Sequence, residues 1–210
     1  SNDQSPIIPN AIENNEGNYS LYVNFMGCIS PTANVNVLVN PVPDATVWSN
    51  SPVCENGTIS LFSSSPTFGT YSWQGPAGFT SSQAEPSISN ATLVNGGSYI
   101  LQMTAAGCAS IPDTVVVNIT PLPVVSPSNN GPLCVGDNLQ LTSNFTNASS
   151  YQWTGPNGYA AAIQNPTILG VNTGDAGTYS LVVVANGCAS NAGTTTLVVN
   201  PNPVVTADSD

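Results

Sequence analysis

Residues 179–183 alternate. Tyr179, Leu181 and Val183 are aromatic or apolar, with Ser180 and Val182 between them. Side chains two apart share a face of an extended strand, so this stretch reads as a strand with one face toward a core. Tyr99, Leu101 and Met103 repeat the pattern, with Ile100, Gln102 and Thr104 on the other face. Val115, Val117 and Ile119 alternate with Thr114, Val116 and Asn118. Short strands are also expected at 139–141 (LQL), 151–153 (YQW) and 194–200 (TTTLVVN), with a turn at 155–159 (GPNGY). No segment carries a helical period. One apolar and one mixed face per strand predicts two sheets packed face to face.

The pattern recurs every 80 residues. Cys28, Cys108 and Cys188 fall in register, as do Cys54 and Cys134, Trp73 and Trp153, and Tyr19, Tyr99 and Tyr179. Pro6, Pro86 and Pro166 also align, and so do the pairs Pro41/Pro43, Pro121/Pro123 and Pro201/Pro203. A fixed period without insertion marks a tandem array. The expected domains are 42–122 and 123–203, preceded by the second half of a domain at 1–41 and followed by the start of another repeat or a tail at 204–210. The proline pairs read as short, semi-rigid linkers.

Composition narrows the function. The chain has 210 residues, eleven acids and no Lys, Arg or His, for a net charge of −11. Nucleic-acid affinity comes largely from cations on phosphate, and anionic lipid attracts basic segments, so partners of both kinds are excluded. No apolar run approaches the ~20 residues of a membrane-spanning helix. Serines abound, but no His or Lys is present to activate one, so no enzyme activity is expected. A hydrophobic content of 40% is ample for packed cores.

The pattern CVGDNLQLTS, YQWTGPNGY, NPTI and DAGTYSLVVVANGCAS resembles the tandem immunoglobulin-like repeats of large Bacteroidetes surface and secreted proteins. These include adhesins linked to gliding motility and type IX secretion. The resemblance implies an all-β chain of immunoglobulin-like sandwiches in series. It implies Trp73, Trp153, Tyr99, Tyr179, Leu101 and Leu181 as core residues. It also suggests O-glycosylation at Asp-Ser/Thr-apolar sequences, which Asp113-Thr114-Val115 fits, with Thr114 on the outward face.

In that fold a cysteine usually lies two residues after the strand tyrosine. Here Leu181 holds that place, and the cysteine comes after the tight-turn signal Ala185-Asn186-Gly187. The expected bridges are Cys54–Cys108 and Cys134–Cys188, each clamping a domain's first segment to its last hairpin. Closing such a loop is worth about 4 kcal/mol in the chain-entropy view. Cys28 has no partner within the chain. Residues 1–41 would leave a core face open, which fits either a fragment of a longer chain or strand donation from another molecule. Zinc is not expected without His or a CxxC pair.

Other candidates are few. Asp175, with Asn95 and Asn15 at the equivalent positions, reads as a turn-capping residue. Glu13/Glu16 and Asp208/Asp210 are close acid pairs, and Asp44 or Asp208 near the linkers could serve a junctional calcium ion. No other cofactor is expected. Trp48, whose equivalent is Ser128, is a candidate for junction packing or sugar stacking, with Tyr22 and Phe25 as neighbours. Six Asn-x-Ser/Thr sequons begin at Asn18, Asn56, Asn90, Asn118, Asn144 and Asn147.

The reading that joins these features is a stalk or filament segment of an extracellular bacterial adhesin or surface fibre. Its partners would be adjacent repeats of the same long chain, other copies in a fibre, and surface glycans. The alternatives are a carbohydrate-binding module and a non-catalytic spacer of a secreted enzyme.

Overall fold

A computed structural model describes residues 3–64 and 69–206. The described chain is all-β, and its only helical elements are single 3-10 turns such as Pro76–Gly78 and Thr173–Asp175. The strands form immunoglobulin-like sandwiches, and the chain divides into two units. The first takes in residues up to Asn50 together with Ile59–Ile88 and Asn95–Val117. The second takes in Ser51–Thr58, Ser89–Val94 and the chain from Asn118. Asp208 and Asp210 lie outside the described residues.

In the first unit, Ile59–Ser64 pairs antiparallel with Thr46–Ser49 on one side and Ser87–Ile88 on the other. A second sheet is centred on the long strand Gly97–Ala105. It pairs with Thr70–Gln74 on one side and with Asp113–Val117 and Cys108–Ala109 on the other. The alternation in the sequence decides what is buried. Tyr99, Leu101 and Met103 have no exposed surface, while Ile100, Gln102 and Thr104 face outward. Ile59, Leu61 and Trp73 are also buried.

Residues of the first unit near the N-terminus form a separate ribbon, Gly17–Leu21 against Ala33–Val37. Its pattern matches the buried strands, but its burial does not. Tyr19 is 39%, Leu21 58% and Val23 57% exposed, whereas Tyr99, Leu101 and Met103 at the equivalent positions are 0%.

The second unit repeats the architecture. Leu139–Thr142 lies between Ser128–Asn129 and Thr167–Ile168. Gly177–Ala185 lies between Ser150–Thr154 and the pair Gly193–Leu197 and Cys188–Ala189. Leu139, Leu141, Trp153, Val171, Tyr179, Leu181, Val183 and Leu197 form one buried cluster. The place usually held by a core disulfide is therefore apolar, with Leu181 in the cluster and opposite Trp153 in the sheet register. Burying each such side chain contributes about 1.5–3 kcal/mol.

Gly155 is required by packing. Its φ is −165°, which any residue adopts, but an added Cβ would lie 2.5 Å from the Tyr179 ring. Gly75 stands in the same relation to Tyr99, at 2.4 Å.

Two short parallel pairs complete the second unit: Val53–Cys54 with Ile119–Thr120, and Leu133–Cys134 with Val199–Asn200. Each places a cysteine beside a closing strand.

Candidate functional site

The cysteines sit in two kinds of local structure. Cys54 and Cys134 each end a short leading strand, in parallel register with Thr120 and Asn200 respectively. Cys28, Cys108 and Cys188 each follow a two-residue turn with both residues at positive φ: Met26-Gly27 (50°, 85°), Ala106-Gly107 (48°, 82°) and Asn186-Gly187 (52°, 79°). This is the type I′ hairpin turn whose twist matches that of the flanking strands. It explains the late cysteine, because the residue after such a turn stands at the tip of the hairpin.

The tip position overturns the expected bridges. Cys54 is bonded to Cys188, and Cys28, Cys108 and Cys134 are free thiols. Neither Cys54–Cys108 nor Cys134–Cys188 forms. Strand direction gives the reason. Gly177 pairs with Leu197, close to the Val199–Asn200 segment that holds Cys134, whereas Cys188 pairs with Ala185 at the other end of the strand. Eight residues of strand at ~3.3 Å each separate those ends by roughly 26 Å. A disulfide needs Cα atoms within about 7 Å. Cys54 and Cys188 have Cα atoms 5.7 Å apart.

The hairpins carry further common features. The Ser190 hydroxyl accepts from Val183 N at 3.0 Å, and Ser190 N donates to Val183 O at 2.8 Å. Ser110 does the same with Met103 at 3.0 and 2.8 Å. Both serines are buried, so these bonds satisfy groups that would otherwise be costly to bury. In the first unit the Cys108 thiol lies 3.7 Å from Asn40 O, and Asn40 Nδ2 donates to Ala106 O at 3.1 Å. In the second, Cys54 Sγ lies 3.9 Å from Gly187 O.

Each strand tyrosine forms a corner. Tyr19, Tyr99 and Tyr179 donate to the carbonyls of Asn15, Asn95 and Asp175 at 2.8, 2.8 and 2.9 Å. This tyrosine corner is a mark of the immunoglobulin fold. Asp175 caps the turn beneath it. Its Oδ2 accepts from Asn172 N at 2.9 Å, and Asn15 Oδ1 accepts from Ile12 N at 2.9 Å. Burial raises the pKa of Tyr99 and Tyr159. Tyr179 is raised first by burial, then by the Asp175 carboxylate and by Tyr159.

Trp48 is exposed and has a partner that the sequence reading missed. It stands opposite Phe62 in the register of Thr46–Ser49 with Ile59–Ser64, stacked at 5.8 Å with 20° between the ring planes. The repeat comparison contains the signal, because Ser128 and Thr142 occupy both equivalent positions and are themselves opposite one another. Tyr22 and Phe25 are exposed. An open groove of about 640 Å³ lies elsewhere on the first unit, lined by Tyr71, Trp73, Phe79, Ser81, Gln83 and Ser87. Its lining is uncharged. At the equivalent positions of the other repeat, Ser81 and Gln83 are replaced by Ala161 and Ile163.

The acids hold turns and strands. Glu16 Oε1 accepts from Val39 N, Asp113 Oδ2 from Val47 N, and Asp137 Oδ2 from Cys134 N, at 2.9, 2.9 and 2.8 Å. Glu13 begins a 3-10 turn, and Asp44 is exposed. Among the described residues no group of three or more His, Cys, Asp or Glu could hold a metal ion. Thr114 is exposed on the strand Asp113–Val117, and the six sequon asparagines are exposed. Among the described residues no helix is long and apolar enough to cross a membrane.

No family model matches the chain, and no curated protein matches it. Similar solved structures include extracellular domains 3–5 of Drosophila OTK, at 13% identity, covering 90% of this chain and 73% of that one, with a TM-score of 0.42. Murine CEACAM1b is 15% identical, covering 75% and 100%, with a TM-score of 0.37. Three N-terminal domains of the highly immunogenic outer capsid protein Hoc of bacteriophage RB49 are 14% identical, covering 75% and 59%, with a TM-score of 0.38.

Proposed function

We propose that this chain is a stalk segment of an extracellular adhesin or surface filament, of the kind built from tandem immunoglobulin-like repeats in Bacteroidetes. In this reading the domains are 42–122 and 123–203, with 1–41 the second half of a preceding domain and 204–210 the start of a following repeat or a tail. The observation that carries this reading is the Cys54–Cys188 bond. It ties the leading strand of one 80-residue repeat to the last hairpin of the next. A covalent tie across successive repeats keeps the chain between its two sulfurs from extending under load. A disulfide also suits an oxidising, extracellular setting. Like charge on every repeat discourages neighbouring stalks from sticking, within the screening length of ~8 Å. The chain has no His or Lys to activate a nucleophile, and its role is not enzymatic.

Single-molecule pulling from both ends tests the reading. The 134-residue interval between Cys54 and Cys188 should be withheld from extension until reductant is added. At ~3.5 Å per residue, reduction should lengthen the unfolded chain by roughly 470 Å. Equal lengths with and without reductant overturn the stalk reading.

The Trp48–Phe62 pair favours a second reading, a carbohydrate-binding surface on the repeat that carries it. An exposed indole stacked on a half-buried phenyl ring suits the apolar face of a neutral sugar. Reproducible binding on a glycan array, lost in Trp48→Ala, supports this reading, and no binding removes it. Thr114, exposed and following Asp113, is our proposed O-glycan attachment point. An unmodified Thr114 in the mass spectrum of protein from its native source rules that out.

A further inference from the structure

Cys134 is exposed and unbonded, yet it occupies the structural position of Cys54, which is bonded. The correspondence extends beyond the sequence. Cys54 stands in parallel register with Thr120, and Cys134 with Asn200. Glu55 N donates to Thr120 O at 2.8 Å, and Val135 N to Asn200 O at 3.0 Å. Gly57 N donates to Cys54 O at 2.9 Å, and Asp137 N to Cys134 O at 3.1 Å. The same backbone cradle presents both thiols.

The other half of the bond is equally uniform. Cys108 and Cys188 each follow a type I′ turn and pair with Ala105 and Ala185. The hairpin bearing Cys108 is docked by two contacts on Asn40, which lies one 80-residue period before Thr120. Thr120 is in register with Cys54, the residue to which the hairpin cysteine Cys188 is bonded. Both hairpins therefore reach the same position on the closing strand of the preceding repeat. The bonded pair is separated by 134 residues, one period more than the 54 between Cys134 and Cys188.

We propose that Cys134, set beside Asn200, is the vacant half of this staple, and that its occupant is the Ala-x-Gly-Cys hairpin of a further copy of the repeat. Disulfides of this kind would then form a ladder, one rung per junction, with Cys108 the hairpin half of another rung. This rests on the stalk reading and adds a rule of partner choice. A leading cysteine bonds the hairpin cysteine one repeat further on and never that of its own repeat.

The bond forms by thiol–disulfide exchange with oxidised glutathione. The Cys134 thiolate attacks one glutathione sulfur, giving a mixed disulfide and releasing one glutathione thiolate. The hairpin thiolate then attacks the Cys134 sulfur and releases the second. Two protein thiols lose two protons and two electrons, and glutathione disulfide becomes two glutathione thiols.

The test uses the full chain through residue 203, followed in register by a second copy of residues 124–203 and oxidised in a glutathione buffer. The unextended chain is run beside it. With no Lys or Arg in the chain, fragments are cut at acidic and aromatic residues and mapped without reduction. In the unextended chain, alkylation should mark Cys28, Cys108 and Cys134 and spare Cys54 and Cys188. In the extended chain, Cys134 should become linked to the appended copy of Cys188, with Cys54–Cys188 unchanged. Cys134→Ser should leave the appended copy of Cys188 open to alkylation. A Cys134 that stays free, carries glutathione or bonds Cys188 of its own repeat overturns the proposal. The first two outcomes leave Cys54–Cys188 and its 134-residue reductant effect on pulling length in place, and the third replaces it with an effect of the 54-residue interval, so failure of the ladder and failure of the stalk, which is equal lengths, are read separately.

Discussion

Cys188 is bonded to Cys54, 134 residues before it, while Cys134, the cysteine that leads its own repeat, remains a free thiol. Partner choice follows from strand direction. A hairpin tip lies at one end of its strand, and the leading cysteine of the same repeat lies beside the other.

Removing the tie should destabilise the chain, whereas removing a free thiol should not. A closed loop of 134 residues is worth about 5 kcal/mol in the chain-entropy view, an upper figure where strain or residual structure intervenes. Cys188→Ser should lower the urea midpoint and make it insensitive to reductant. Cys108→Ser and Cys28→Ser should leave the midpoint within the usual ~0.5 kcal/mol of surface changes. Equal midpoints for Cys188→Ser and Cys108→Ser would show that the bond contributes nothing to stability.

Alkaline pH should weaken the fold through the corner tyrosines. The folded-state pKa of Tyr179 is raised by burial, then by the Asp175 carboxylate and Tyr159, and that of Tyr99 is raised by burial. Below the unfolded value of about 10 the phenols are protonated in both states, and their contribution is fully present. As pH rises from about 10 through the raised folded values, the unfolded chain releases its protons first, and stability falls. Tyr179→Phe should cost about 1 kcal/mol at neutral pH, through the lost bond to Asp175 O, and should flatten the alkaline decline. Urea titrations across pH 8–11 measure both effects. A slope unchanged by the substitution contradicts the assignment to Tyr179.

Much of this fold is legible in the residues. Period-2 alternation at Tyr99, Leu101 and Met103 and at Tyr179, Leu181 and Val183 marks the buried faces, and the 80-residue period marks the repeats. The same pattern at Tyr19, Leu21 and Val23 gives exposed side chains, because burial needs an opposing sheet and alternation reports only which face would receive one. The disulfide partner was not legible. Spacing within a repeat favours the nearer cysteine, and only the register of the ladder reveals that the nearer one lies a strand's length away. The ring stack of Trp48 on Phe62 was half legible, since each aromatic replaces a hydroxyl residue of the other repeat.

Gly155→Ala should be costly although its backbone angle suits alanine. The new Cβ would meet the ring of Tyr179, which is fixed by burial and by its hydroxyl bond. Forcing a methyl into such a contact typically costs 1–3 kcal/mol. Gly158→Ala, where φ is 72° but nothing lies within 4 Å, separates packing from backbone strain. Thermal unfolding of the two variants should show a loss in both. Pairing each with Tyr179→Leu should relieve only the Gly155 variant. Equal relief in both would place the cost in the backbone.

The Trp48–Phe62 stack is separable from stability, because the other repeat folds with Ser128 opposite Thr142 at the same two positions. A cross-strand aromatic pair contributes roughly 0.2–1 kcal/mol. The double substitution Trp48→Ser with Phe62→Thr should therefore move the unfolding midpoint only slightly. If the rings form a sugar platform, the same double substitution should abolish glycan binding. Phe62→Thr alone should weaken it by freeing the indole from its stacked orientation. Binding that survives the double substitution assigns the sugar to another surface, of which the uncharged groove around Tyr71, Phe79 and Gln83 is the first to examine by substitution. A large stability loss would instead make the stack a structural element of its sheet, and the exposed Trp48 ring would then need no ligand to explain it.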